Sequence, residues 1–145
     1  MADIRSYLEN EAFYRIPLTK LATGHYKFEI KINGKKGFFI LDTGASTSCI
    51  GFKSATKFTL KSEVSEIKAA GAGAINMATE ISMSNMVSIN KWKRNAVDFV
   101  LFDLSHVNQA LAQVNEEAVD GIIGADLLKQ QRAIIDYGRN CLYLK

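Results

Sequence analysis

The chain has one proline, two cysteines and two histidines among 145 residues, and each scarcity removes a class of protein. With Pro17 alone and 48% of residues hydrophobic, it is neither a proline-rich linker nor a disordered segment, and it is long enough to bury the core of one domain. Cys49 and Cys141 stand isolated, without the paired spacing of a metal site, and read as reduced thiols. His25 and His106 are far apart in sequence with no ligand-like neighbours, so both read as ordinary surface or turn residues; no metal and no cofactor is expected. No stretch approaches the roughly 18 apolar residues of a membrane span, and the N-terminus, with Asp3, Arg5, Glu9 and Glu11, lacks the basic-then-apolar order of a signal peptide. The expectation is a soluble, cytoplasmic protein with no membrane partner. The net charge of +3 is small. It comes partly from scattered Lys27, Lys31, Lys35 and Lys36, which read as solvated strand faces and turns; contact of the clusters at Lys57 to Lys61 and Lys91 to Arg94 with an acidic partner is the minor reading, and no nucleic-acid partner is expected.

Apolar residues change period along the chain. Ile4, Tyr7, Leu8 and Ala12 fall at near-helical spacing and Pro17 limits continuation, so residues 1–23 read as an N-terminal arm or helix and first strand. Residues 24–145 read as the main domain. Tyr26, Phe28, Ile30 and Ile32 alternate with charged residues as a half-buried strand, and Asn33-Gly34 supplies a tight hairpin turn. Gly37 to Leu41 is apolar on both faces, as in a strand covered from both sides. Val64 and Ile67 before a glycine-rich stretch, with Ile75, Met77, Thr79, Ile81 and Met83 alternating after it, predict a second hairpin. A further strand spans residues 95–102. Val107, Ala110, Leu111, Val114 and Ala118 predict a helix with Ser105 as its N-cap. A short strand at Ile122-Ile123, a short helix to about Gln130 and a terminal hairpin of residues 133–136 and 141–144 complete the chain.

The buried strand runs straight into Asp42-Thr43-Gly44-Ala45, and much later Ile122-Ile123-Gly124-Ala125 follows. A carboxylate at the mouth of a buried strand acts as acid or base only when its surroundings tune its proton affinity. A second carboxylate would do so, yet the chain has no second Asp-Thr-Gly. Asp before Thr-Gly is also an ordinary way to begin a turn. Together with the Gly-rich stretch around Gly71 and Gly73, in this order, these segments resemble the retropepsin-like aspartic proteases over roughly residues 24 to 144.

That resemblance implies a mainly β, half-pepsin fold: a closed barrel-like domain with one or two short helices that pairs as a homodimer. It implies an aspartic endopeptidase acting on a protein or peptide substrate, with Asp42 as the catalytic residue. A water would be polarised between Asp42 and its copy, the two sharing one proton because close like charges do not both ionise cheaply. Thr43 is expected to bond across the dimer axis, and Gly44 to bring its amide to the carboxylate. Ala45 stands where pepsin-like enzymes carry Ser. Ala70, Gly71, Ala72, Gly73 and Ala74 are expected to form a substrate-covering flap, and Ile122, Ile123 and Gly124 are pocket wall or core. Ser46 and Ala125 replace the Asp and Arg that retroviral members pair at these places, a joint loss that leaves no orphaned charge. The long C-terminal hairpin implies a different or larger intersubunit sheet. The alternative is a non-catalytic dimeric peptide-binding or scaffolding domain of the same fold; another is a β-domain unrelated in function.

Overall fold

The computed structural model describes residues 3–69 and 77–145. A short helix α1 (Ile4–Asn10) is capped by the Asp3 carboxylate, which accepts from the Ser6 amide at 2.8 Å, and ends before Ala12 at φ 68°. Strands β1 (Tyr14–Pro17), β2 (Thr19–Lys20), β3 (Tyr26–Ile32), β4 (Lys35–Leu41) and β5 (Cys49–Gly51) follow. After them come β6 (Glu63–Ala69), β7 (Met77–Ile89), β8 (Trp92–Phe102), α2 (Ser105–Gln113), β9 (Gly121–Ile123), α3 (Ala125–Gln130), β10 (Ile134–Asp136) and β11 (Cys141–Leu144). The turn between β3 and β4 is the expected one, with Asn33 and Gly34 at φ 51° and 83°.

Six strands close on themselves in the order β3-β4-β9-β5-β8-β7, with β7 returning to β3 through Lys31↔Ser88 and Ile32↔Val87. Inside this mainly β barrel, β9 is the strand that explains the double-sided apolarity of its surroundings. It lies parallel to β4 and antiparallel to β5, and both its faces are covered, Ile122 packing in one apolar cluster and Ile123 in another. Gly121 is required there: a Cβ would run into the Cys49 carbonyl and the Phe39 ring.

The terminal strands form a separate three-stranded sheet, β1-β11-β10. Its inner face adds Ile16, Leu142 and Leu144 to the main core, around Phe39, Phe58, Trp92 and Phe99. Its outer face packs Cys141 and Tyr143 against Leu8 of α1. The central strand β11 thus finds both partners within the chain, and the open edges of this sheet belong to β1 and β10.

Three sequence expectations are corrected. The helix α2 stops at Gln113, short of Ala118, and Val114 is exposed because the chain turns at Asn115, φ 60°. Ser105 is the first helical residue and not the cap; Leu104 holds the cap position and the Asp103 carboxylate accepts from the Ser105 amide at 2.8 Å. In β7 the alternation slips one place: Ser84 at φ 62° bulges the strand, Met83 is left exposed, and Ser82 and Asn85 turn inward. Asn85 is satisfied there by the Ser82 and Val97 carbonyls and by Asn33. Residues 52–62, without a readable period, supply the fully buried Phe58, whose ring lies 6.2 Å from that of Phe39.

Candidate active site

Asp42 follows directly on β4, where the strand leaves the barrel, and its backbone is the last held by β9, the amide donating to the Ile123 carbonyl at 3.0 Å. The loop then reverses: the Ala45 amide donates to the Asp42 carbonyl at 3.2 Å, and the Gly44 amide donates to Asp42 Oδ1 at 2.9 Å. An amide aimed at a carboxylate oxygen fixes the plane of the carboxyl group. Thr43 and Gly44 are exposed, and the Thr43 hydroxyl has no partner among the described residues. Ala45 is buried in a second apolar cluster with Ile40, Cys49 and Ile122, a setting with no call for the serine hydroxyl.

The far half of the loop is tied to the segment after β9. The Ala45 carbonyl accepts from the Ala125 amide at 2.7 Å, and a Cβ on Gly124 would come within 2.6 Å of that same carbonyl, so this close crossing needs glycine. Ser48, 1% exposed, donates through its hydroxyl to Asp126 Oδ1 at 2.7 Å and accepts from the Gly124 amide at 2.9 Å. Asp126 Oδ1 also takes the Ser48 and Leu127 amides. A carboxylate–hydroxyl tie thus joins the loop to α3, two residues after Ser46 and one after Ala125. Sequence reading passed over Ser48 and Asp126, although an acidic residue in the first turn of a predicted helix is a recognisable anchor. Asp120 was passed over too; it steadies the entry to β9 by accepting from the Phe38 amide, the Ser54 hydroxyl and Lys57. Beside this tie, burial pushes the Cys49 thiol up to about 12, and the nearby charges of Asp126 and Asp42 act in the same direction.

Asp42 lines a cavity of about 240 Å³ with Ile40, Ile122 and Leu111 at its floor and His25 and His106 at its edge. Of the expected wall residues, Ile122 borders this cavity, Ile123 belongs to the main core, and Gly124 lies under the loop. The two histidines are exposed, as anticipated, but the fold brings both to the cavity of Asp42. Ala70, Gly71, Ala72, Gly73 and Ala74, the expected flap, lie outside the described residues. Among the described residues no group of three or more His, Cys, Asp or Glu side chains is arranged to hold a metal, and no helix is long and apolar enough to cross a membrane.

The comparisons with known proteins concern the family and the fold of the chain that carries this loop. The family model for aspartyl protease matches residues 28–127, and the chain belongs to that family. Its fold is retropepsin-like: it superposes on a retropepsin-like aspartic protease from Rickettsia conorii with a TM-score of 0.58 and 19% identity, over 91% of this chain and 90% of the other. The retroviral protease-like domain of Ddi1 from Leishmania major matches with a TM-score of 0.56 and 19% identity, over 81% and 85%. The EIAV protease in complex with the inhibitor HBY-793 matches with a TM-score of 0.51 and 16% identity, over 83% and 92%. A search of curated proteins finds no match.

Proposed function

We propose that this chain is an aspartic endopeptidase whose active site forms between two copies, each contributing Asp42. The observation that carries this reading is the loop itself: Asp42 is held by the Gly44 amide at 2.9 Å and faces a cavity, while Thr43 and Gly44 beside it remain exposed. One carboxylate per chain supplies half of the acid–base pair that peptide hydrolysis by this route requires. A second copy, brought up on the exposed side of the loop, supplies the other half. The water between Asp42 and Asp42 of the partner subunit loses a proton to one carboxylate as it attacks the peptide carbonyl, and the other carboxyl group donates to the developing oxyanion. Collapse of the tetrahedral intermediate then passes a proton to the leaving amine. The substrate lies extended across the paired loops, held by main-chain hydrogen bonds. The free, buried Cys49 and Cys141 suit a reducing compartment, and the cytoplasm is the proposed location.

Asp42→Asn keeps the shape of the side chain but removes the shared proton. It is expected to lower kcat on a denatured protein substrate by at least about a thousandfold, with circular dichroism unchanged. Sedimentation velocity across a concentration series completes the test, with specific activity expected to follow the dimer fraction. Full turnover by the Asn variant, or by a strict monomer, overturns the proposal.

A further inference from the structure

Lysines that are scattered in the sequence are brought into one row by the strand register. Lys36 of β4 lies directly opposite Lys31 of β3, Lys31 opposite Ser88 of β7, and Ser88 opposite Lys93 of β8. Their neighbours along the strands, Ile30, Ile32, Val87, Ile89 and Trp92, pack in the main core, so the row stands on the outer face of the barrel. Lys31, Lys36 and Lys93 are exposed, and Ser88 is half-buried between Lys31 and Lys93. With strands about 4.8 Å apart, the row is about 14 Å long.

Like charges directly opposite each other in a ladder are destabilising, and Lys31 and Lys36 stand in that relation. The chain compensates them only in part. Glu29, on the same face of β3, pairs with Lys36 at 3.2 Å. Neither Lys31 nor Lys93 has a carboxylate within ion-pair distance among the described residues. At the β4 end, the Lys27 and Lys36 ammonium groups lie 5.1 and 5.7 Å from the centroid of the half-buried Phe38 ring, which holds both on this face. Lys27, Lys31, Lys36 and Lys93 thus face solvent together against Glu29, and the row invites an anion. An extended chain rises about 3.3 Å per residue with its side chains alternating, so acidic residues at every second position stand about 6.6 Å apart on one side, and three of them match the length of the row. The cations are all lysines, which present point charges and no guanidinium fork for phosphate. The Phe38 ring is already covered by ammonium groups and offers no platform for a nucleic-acid base.

We propose that the row Lys36, Lys31, Ser88 and Lys93 is a docking site for an extended acidic segment of a protein partner, one carrying Asp or Glu at alternate positions. One carboxylate of the segment lies between Lys31 and Lys36 and relieves their repulsion, the next takes the Ser88 hydroxyl, and the third meets Lys93. Lys36 precedes Asp42 by six residues, about 20 Å along an extended strand, so the segment lies outside the cleft. Docking here is independent of whether Asp42 cleaves peptide.

The test uses fluorescent octapeptides in which Glu and Ser alternate, an isomer with the same residues grouped as a Glu block and a Ser block, and a version with Gln for Glu. Binding to the whole chain is read by anisotropy, with the wild type and Asp42→Asn expected to bind alike. The alternating peptide is expected to bind at least about tenfold more tightly than the Gln version and about threefold more tightly than the block isomer. Raising salt from about 50 to about 300 mM is expected to weaken it about tenfold. The double variant Lys31→Gln, Lys93→Gln is expected to weaken it at least about fivefold, while Lys61→Gln, Lys129→Gln, which removes the same charge outside the row, leaves it unchanged. Lys31→Gln alone is expected to keep or raise Tm, since it removes one of two opposed charges. Equal loss in the two double variants overturns the proposal, because net charge and not the row then attracts the peptide. Equal binding of the alternating and block peptides overturns it too, as does failure of the alternating peptide to bind at low salt. Tighter binding of a single-stranded oligonucleotide or of phosphatidylserine vesicles, lost in the Lys31, Lys93 variant, overturns the choice of a protein partner.

Discussion

Ser48 and Tyr143 are both buried polar side chains, one beside the candidate site and one in the terminal sheet, and the fold treats them in opposite ways. Ser48 donates to Asp126 and accepts from Gly124, while the same Asp126 oxygen takes the Ser48 amide. The Tyr143 hydroxyl is buried with no partner among the described residues. The difference follows from the backbone around each. At Ser48 and Gly124 the chain is irregular, and amides that no strand pairs must find side-chain acceptors, because a buried orphan costs about 1–3 kcal/mol. Tyr143 sits in β11, whose backbone is paired on both edges, and its ring is packed in the cluster with Leu8 and Cys141. Burying the aromatic ring offsets the lost hydroxyl bond there. At Ser48 the polar bonds thus serve the point where the Asp42 loop leaves regular structure.

Three measurements sharpen or break that contrast. The largest effect is expected from Asp126→Ala, which leaves the Ser48 hydroxyl and amide without their acceptor. A loss of about 3 kcal/mol in urea unfolding is expected, against about 1 kcal/mol for Asp126→Asn, which keeps an acceptor oxygen. Equal losses for the two would show that packing, and not the polar tie, holds the loop.

The second effect is alkaline. The Cys49 thiol is raised from 9.0 to about 12 in the folded chain, so the fold retains its proton where the unfolded chain has released it. Its stabilisation is present below pH 9 and is lost as pH rises from 9 to about 12. Burial also raises the Tyr143 phenol, whose contribution is lost in the same direction above pH 10. Stability measured from pH 8 to 10 should therefore fall in the wild type and flatten in Cys49→Ala, even though that variant starts lower through its lost packing. An unchanged slope in Cys49→Ala would place the alkaline sensitivity elsewhere.

The smallest effect is expected from Tyr143→Phe, which removes a hydroxyl that has no partner. Stability should stay within about 1 kcal/mol of wild type or rise, as read by thermal melting at pH 7. A loss of 2 kcal/mol or more would mean that the hydroxyl makes a bond the structure does not describe.

Much of the fold was legible in the sequence because its signals are local. The period-two run Tyr26 to Ile32, the Asn33-Gly34 turn and the unbroken apolarity of Phe38 to Leu41 each reflect the backbone and burial of their own segment. The slip in β7 was not legible, since Met83 continues the alternation and only the partner strand β8 imposes the bulge that buries Ser82 and Asn85. Phe58 lies in a stretch without periodicity, and its burial depends on the space left above Gly37, where a Cβ would collide with its ring. In the candidate site, Asp42 to Gly44 and Ile122 to Gly124 stood out because tight turns and close crossings demand particular small residues. Ser48 and the two histidines carried no such local mark, and the first-turn position of Asp126 marked a helix anchor without naming its partner.

By itself the sequence determined a succession of short strands, one Asp-Thr-Gly loop and an Ile-Ile-Gly segment, because periodicity and glycine placement are properties of short segments. Only the tertiary structure decided that His25 and His106 share a cavity with Asp42, that Asp126 anchors the loop through Ser48, and that β11 finds both its partners within the chain. Those outcomes depend on barrel closure, on the bond from the Ala22 amide to the Glu116 carboxylate and on the return of the C-terminus beside β1. Each joins residues far apart in sequence, and their proximity follows from the packing of the whole chain.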